Sequence, residues 1–111
     1  MAREVDLKTF AAAWAAGALV LDVREPAEYR AGHVPGARLT PLSAPATLAD
    51  PALRLPTDRP VYVICASGNR SRWAADQLTA LGVDARSVAE GTKGWISAGR
   101  RVATGLTPGL A

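Results

Sequence analysis

Pro60-Val61-Tyr62-Val63-Ile64-Cys65, continued without a break by Ala66-Ser67-Gly68-Asn69-Arg70-Ser71, is the stretch on which the fold turns. Its first half is apolar and β-branched with no helical period, which predicts a buried strand ending at Cys65. From Ser71 to Leu81 the pattern changes. Ala74, Leu78 and Leu81 fall on one helical face, and Gly82 stands just past the end, where a helix stop is expected. A strand that passes into a helix through a short loop of small residues is half of a β-α-β unit.

The same alternation extends both ways. Upstream, Leu7, Phe10, Ala11 and Trp14 recur at helical spacing, with Asp6 placed to cap and Gly17 to terminate. Leu19 to Leu21 reads as a short buried strand, and Glu25 to Arg30 as a brief helical turn with Pro26 in its first turn. Gly32 to Ala37 is loop, leading to a short strand near Arg38 to Thr40. Pro41, Pro45, Pro51 and Pro56 leave room only for short helical pieces before the central strand. Downstream, Arg86 to Val88 reads as a strand, and Thr92 to Ala98 as a last helix stopping at Gly99. Strands alternating with helices predict a parallel sheet covered on both faces. Ligands of such sheets sit at the carboxyl ends of the strands, which points at Cys65 before any motif is considered.

The loop after Cys65 has the composition of an anion-binding bowl. Successive backbone N–H groups between a strand and a helix N-terminus turn inward, and the helix dipole adds to their field. Gly68 supplies a conformation that a Cβ would obstruct, and Asn69 tolerates left-handed geometry. A thiol at the rim of this bowl, with Arg70 nearby, is expected to ionise easily and to act as a nucleophile. A lone cysteine is more often a buried small hydrophobe. Here strand, small-residue loop, arginine and helix follow in immediate succession, and that setting favours the reactive reading.

Composition bounds the rest. The chain has 111 residues, is 49% hydrophobic and 21% charged, and contains one cysteine, so one ordinary domain with a free thiol is expected. A free thiol suits a reducing, cytoplasmic setting. Phe10 to Leu21 is uncharged and follows Arg3 and Lys8, which superficially resembles a signal peptide. Glu4 and Asp6 sit in what would be the positive region, however, and the stretch runs into a strand that the domain needs. It is also too short to span a membrane. The net charge of +3 comes from 11 arginines and 2 lysines scattered without a basic stripe, so no nucleic-acid partner is expected. With one histidine and one cysteine, neither a metal site nor a cofactor is expected.

Three segments together resemble the rhodanese (sulfurtransferase) family. Cys65-Ala66-Ser67-Gly68-Asn69-Arg70-Ser71, with Ala74-Ala75 and Leu78, resembles its active loop and following helix. Leu21-Asp22-Val23-Arg24-Glu25, Glu28-Tyr29 and Gly32-His33-Val34-Pro35-Gly36-Ala37 resemble its upstream hallmark, and Glu90-Gly91-Thr92-Lys93-Gly94-Trp95 its C-terminal box. The matches keep the family's order over residues 5 to 102. The resemblance implies an α/β fold of three layers, with a mostly parallel five-stranded sheet between helices. It implies Cys65 as the catalytic residue, and Ala66, Ser67, Gly68, Asn69, Arg70 and Ser71 as the substrate-binding loop. The implied reaction passes a sulfane sulfur from thiosulfate or a persulfide donor to cyanide or a thiol, a thiol-bearing protein included. The alternative is a persulfide relay to a protein partner with little thiosulfate activity. A non-catalytic module on this fold usually lacks the cysteine. The resemblance also implies against phosphatase chemistry, because that needs a loop one residue longer with an arginine where Ser71 stands.

Thr92 departs from the family pattern by replacing the second of two usual glycines, and its side chain is expected to tighten the entrance or cap the last helix. Asp22, Arg24 and Glu28 are expected to support the loop as hydrogen-bonded pairs, with Arg24 alternatively holding an anion. Arg70 either faces substrate or braces the loop against a carboxylate. His33, in a turn sequence, is expected to be structural, since an ionised thiolate needs no base. Trp14 is read as core, and packing is likewise the default for Trp73 and Trp95.

Overall fold

Alternation along the central strand divides the core. In the computed structural model, which describes residues 2–44 and 47–111, Val61, Val63 and Cys65 turn to one face of the sheet, and Tyr62 and Ile64 to the other. The strand itself runs Val61–Ile64 (β4). Around it the elements follow in the order β1 (Arg3–Val5), α1 (Leu7–Ala15), β2 (Leu19–Asp22), α2 (Pro26–Ala31) and β3 (Arg38–Leu39). Short 3₁₀ turns at Thr47–Ala49 and Pro51–Leu53 precede β4, and α3 (Asn69–Ala80), β5 (Ala85–Val88) and α4 (Gly91–Ser97) follow it. Pro45, one of the four prolines that limit this region to short helical pieces, lies outside the described residues.

The sheet has five strands in the order β1-β5-β4-β2-β3, every pairing parallel. On one face Leu21, Val63 and Ala85 meet Ala74, Ala75 and Leu78 of α3. On the other, Val20, Tyr62 and Val88 meet Phe10 of α1 and Trp95 of α4, with Phe10 edge-on to Trp95 at 5.7 Å. Trp14 is half-buried, stacks edge-on against Trp95 at 5.1 Å, and donates its indole N–H to Pro35 O at 2.7 Å. The three layers are those expected.

Some boundaries differ from the sequence reading. Asp6 caps α1 as predicted, accepting from Thr9 N–H at 2.8 Å. The strand Arg3–Val5 is an addition: it pairs with Arg86–Val88 at the sheet edge, and its exposed Arg-Glu pattern carries no strand signal. β4 ends at Ile64, one residue before Cys65, because the Cys65 carbonyl leaves the ladder to accept from Thr92 N–H at 2.8 Å. α3 starts at Asn69, two residues earlier than expected, with Gly68 as its N-cap. Packing also continues past residue 102. Ala103 bridges His33, and Gly36 N–H donates to Pro108 O at 2.8 Å. Among the described residues no helix is long and apolar enough to cross a membrane.

Candidate active site

Because β4 and β2 run in parallel and end together, Asp22 and Ile64 are register partners, and the segments that follow them meet at one edge of the sheet. Cys65 begins the loop there, 1% exposed, with its side chain on the α3 face. The loop turns sharply at Gly68, whose φ of 104° and ψ of −12° are left-handed. A Cβ there would collide with the Ala89 carbonyl oxygen, so both the conformation and the space require glycine. The turn aims the Gly68 N–H at Cys65 Sγ, 3.1 Å away.

Ser71 closes the bowl from the first turn of α3. Its Oγ lies 3.4 Å from Sγ: the thiol donates to it, and once the sulfur is ionised the hydroxyl donates back. Ser87 of β5 lies 2.8 Å behind Ser71 Oγ, giving a buried chain Ser87–Ser71–Cys65 in which Ser87 can donate when Ser71 turns to the sulfur. Burial pushes the Cys65 thiol up, but hydrogen bonds from the Ser71 hydroxyl and from the N–H groups of Ser71, Gly68 and Ser67 more than offset it. The thiol therefore lies below its ordinary value. This arrangement can stabilise a sulfur anion, and among the described residues no general base is hydrogen-bonded to the sulfur, which a thiolate nucleophile does not need.

The bowl is braced from beneath by α4. Thr92 N–H donates to Cys65 O at 2.8 Å and Lys93 N–H to Ala66 O at 3.0 Å. The chain approaches so closely that a Cβ on Gly91 would stand 2.5 Å from Ala66 O. Within this box both Gly91 and Gly94 lack room for a Cβ, since one on Gly94 would stand 2.4 Å from Glu90 Cβ. Thr92 is buried and caps nothing; its hydroxyl is the one buried side-chain polar atom without a partner among the described residues.

The charged residues pair among themselves. Arg24 is clamped on Asp22, with Nη2–Oδ2 at 2.8 Å and Nε–Oδ1 at 2.9 Å, and donates onward to Gly32 O at 2.9 Å. Both side chains are buried, so the pair holds the end of β2 to the turn after α2. Glu28 pairs with Arg70 instead, in a two-pronged bridge of 2.8 and 2.9 Å between α2 and α3. The Arg70 side-chain hydrogen bond holds the Glu28 carboxyl down to about 2. Of the loop residues, Ser67 and Asn69 are exposed and Ala66 half-buried, while Gly68 and Ser71 are buried against the sulfur. His33 is buried and engaged elsewhere than at the sulfur: it stacks on Tyr29 at 3.6 Å, with Nδ1 2.8 Å from Tyr29 O and Nε2 3.0 Å from Thr107 O. Trp95 is core, whereas Trp73 is 55% exposed, against the packing expected of it. The sequence reading missed Ser87, whose one signal was a small hydroxyl inside an otherwise buried strand end. No metal-binding cluster occurs among the described residues.

A parallel five-stranded α/β sheet with a thiol in an N–H-lined bowl at its carboxyl edge defines the class. The chain belongs to the rhodanese-like domain family, whose model matches residues 6–98. It is 38% identical over 80 residues to the thiosulfate sulfurtransferase GlpE of Pseudomonas putida, covering 71% of this chain and 70% of that one. It is 44% identical over 61 residues to the uncharacterized protein YqhL of Bacillus subtilis, which is 55% of this chain and 46% of that relative's length. In structure it is similar to a rhodanese-related protein of Thermoplasma volcanium, with a TM-score of 0.79 and 33% identity, over 95% of this chain and 99% of that one.

Proposed function

We propose that residues 1–111 form one catalytic domain, a cytoplasmic sulfurtransferase that carries a sulfane sulfur as a persulfide on Cys65. The observation that carries this reading is the sulfur's setting: Gly68 N–H at 3.1 Å, the Ser71 hydroxyl at 3.4 Å, and a thiol held below its ordinary value. The Cys65 thiolate attacks the outer sulfur of thiosulfate. A new S–S bond forms at Sγ, the old S–S bond breaks, and sulfite leaves with the electron pair. Cyanide or a thiolate then attacks the outer sulfur of the persulfide, and the pair returns to Sγ. The loop from Ala66 to Ser71 holds the anions of both steps through backbone N–H groups, while Asp22, Arg24 and Glu28 keep it in shape.

A second reading, relay of the persulfide sulfur to a thiol-bearing protein with little thiosulfate turnover, is favoured by one observation. Arg24 and Arg70 are each already engaged by a carboxylate, leaving the loop little free positive charge for a dianion.

Mass spectrometry after incubation with thiosulfate or a persulfide donor tests the reaction class. The expected result is a gain of one sulfur atom on Cys65, removed by cyanide as thiocyanate and absent in Cys65→Ser. Undiminished transfer by Cys65→Ser would sink the reading.

A further inference from the structure

Behind the Ser71 hydroxyl stands a second buried hydroxyl, and counting protons fixes the direction of the bond between them. Ser71 Oγ lies 3.4 Å from Cys65 Sγ, 3.2 Å from Gly68 O and 2.8 Å from Ser87 Oγ. It has one proton to share among these three neighbours. Ser87 sits on β5 beside Val63 and is 1% exposed, and among the described residues Ser71 Oγ is the one hydrogen-bond partner of its side chain. If Ser71 donated to Ser87, the Ser87 proton would be buried with no acceptor, which is costly. Ser87 is therefore the donor and Ser71 the acceptor.

With Ser87 as a fixed donor, the Ser71 proton has two places to go, Gly68 O and Sγ. Gly68 O does not depend on it, because Arg72 N–H donates to the same oxygen at 3.2 Å. The state of the sulfur then makes the choice. A neutral thiol donates to Ser71, whose own proton stays on Gly68 O. An ionised sulfur receives the Ser71 proton in a hydrogen bond, and no buried group loses its last partner. A hydroxyl that accepts one hydrogen bond donates a stronger one, so Ser87 strengthens the bond that Ser71 makes to the anion. The ion pairs around the loop, Arg70 with Glu28 and Arg24 with Asp22, are closed among themselves and take no part in this chain.

We propose that Ser87 is a positioning residue for sulfur transfer, acting through Ser71 to stabilise negative charge on Cys65 Sγ. The inference rests on the persulfide reading above and adds a residue to its machinery. Sγ bears that charge twice, as the attacking thiolate in loading and as the leaving group in discharge. In discharge, cyanide attacks the outer sulfur of the persulfide and a carbon–sulfur bond forms. The bond from that sulfur to Sγ breaks, its electron pair returns to Sγ, and thiocyanate leaves. No proton is transferred: the Ser71 hydroxyl turns from Gly68 O to Sγ as the charge arrives. The two steps respond in opposite senses, because a better stabilised thiolate attacks less strongly but leaves faster.

Ser87→Ala removes the outer hydroxyl and leaves Ser71 in place. The midpoint of its iodoacetamide alkylation profile is expected to rise by about 0.3–0.5 pH units, the effect of losing a cooperative gain of roughly 10–30% on a hydrogen bond to a charged group. Above the midpoint, discharge of sulfur-loaded protein to cyanide slows by up to about twofold, since only part of the charge has reached Sγ in the transition state, while loading from thiosulfate is not slowed. In a Ser71→Ala background the same Ser87→Ala change produces neither effect. An unmoved midpoint in Ser87→Ala overturns the proposal. So does an equal displacement in the Ser71→Ala background, which would mark a role in packing alone. Alkylation needs no sulfur donor, so the two readings fail separately. A protein that gains no sulfur from thiosulfate or a persulfide, yet shows the displaced midpoint, sinks the persulfide reading and keeps the Ser87–Ser71 chain to the thiolate. A protein that loads sulfur and shows no displacement sinks the role of Ser87.

Discussion

At the scale of single residues, the thiol's chemistry is set by Ser71 as much as by Cys65. Burial alone would raise the thiol, and the hydroxyl and N–H donors around it reverse the direction. Ser71→Ala removes the side-chain donor to the anion and leaves the backbone donors in place. The expected outcome is a pH profile of iodoacetamide alkylation displaced to higher pH, with the neutral-pH rate down roughly tenfold, since a hydrogen bond to a charged group is worth about 1.5–3 kcal/mol. An undisplaced profile would show that the N–H groups suffice. Cys65, Gly68 and Ser71 were legible in the sequence because they lie within seven consecutive residues whose local geometry makes the bowl. Ser87 was not legible: it is 16 residues from Ser71, and the pairing of β5 with β4 is what brings it behind that hydroxyl.

Among the elements, the junction of β4, the loop and α3 depends on the absence of two side chains. Gly68 is left-handed and lies against Ala89 O, and Gly91 lets α4 approach the carbonyls of Cys65 and Ala66. Gly68→Ala combines the left-handed penalty with a backbone collision, and is expected to cost about 2–3 kcal/mol. Urea unfolding of the variant checks this, and a midpoint within error of the unaltered protein would contradict it. The central strand and α3 were legible because each has a strong period and lies in the core. β1 was not, since three residues at a sheet edge with an exposed Arg-Glu pair carry no period to read. The helix start was misplaced by two residues, because a glycine N-cap offers no side-chain signature.

Across the whole molecule, the active edge is held by links between distant parts of the chain. Glu28 and Arg70 are 42 residues apart in sequence and join α2 to α3. The Glu28 carboxyl is held at about 2, below its ordinary 4.5, so the bridge contributes stability above pH 4.5 and loses it as pH falls toward 2. Its side chains are 40% and 36% exposed, so solvent screening keeps the contribution small at neutral pH. Acid titration followed by Trp fluorescence or circular dichroism should show Glu28→Gln less sensitive than the unaltered protein between pH 4.5 and 2, with little difference at neutral pH. An identical acid response in both would remove the bridge from the account. The tail from Ala103 to Pro108, hydrogen-bonded to the turn around His33, is a second such link.

The sequence by itself determined the α/β layering, the family and the position of the thiol, because each rests on local period or on motifs of adjacent residues. It also favoured hydrogen-bonded pairing for Asp22, Arg24 and Glu28 without naming the partners, and left Arg70 between two roles. Only the tertiary structure decided that Glu28 takes Arg70 and Asp22 takes Arg24, that Ser87 stands behind Ser71, and that Trp73 stays exposed. The physical reason is the same in each case. Ion pairs, buried hydrogen-bond chains and uncovered faces depend on segments remote in sequence, and strand order and helix docking choose which remote segments meet.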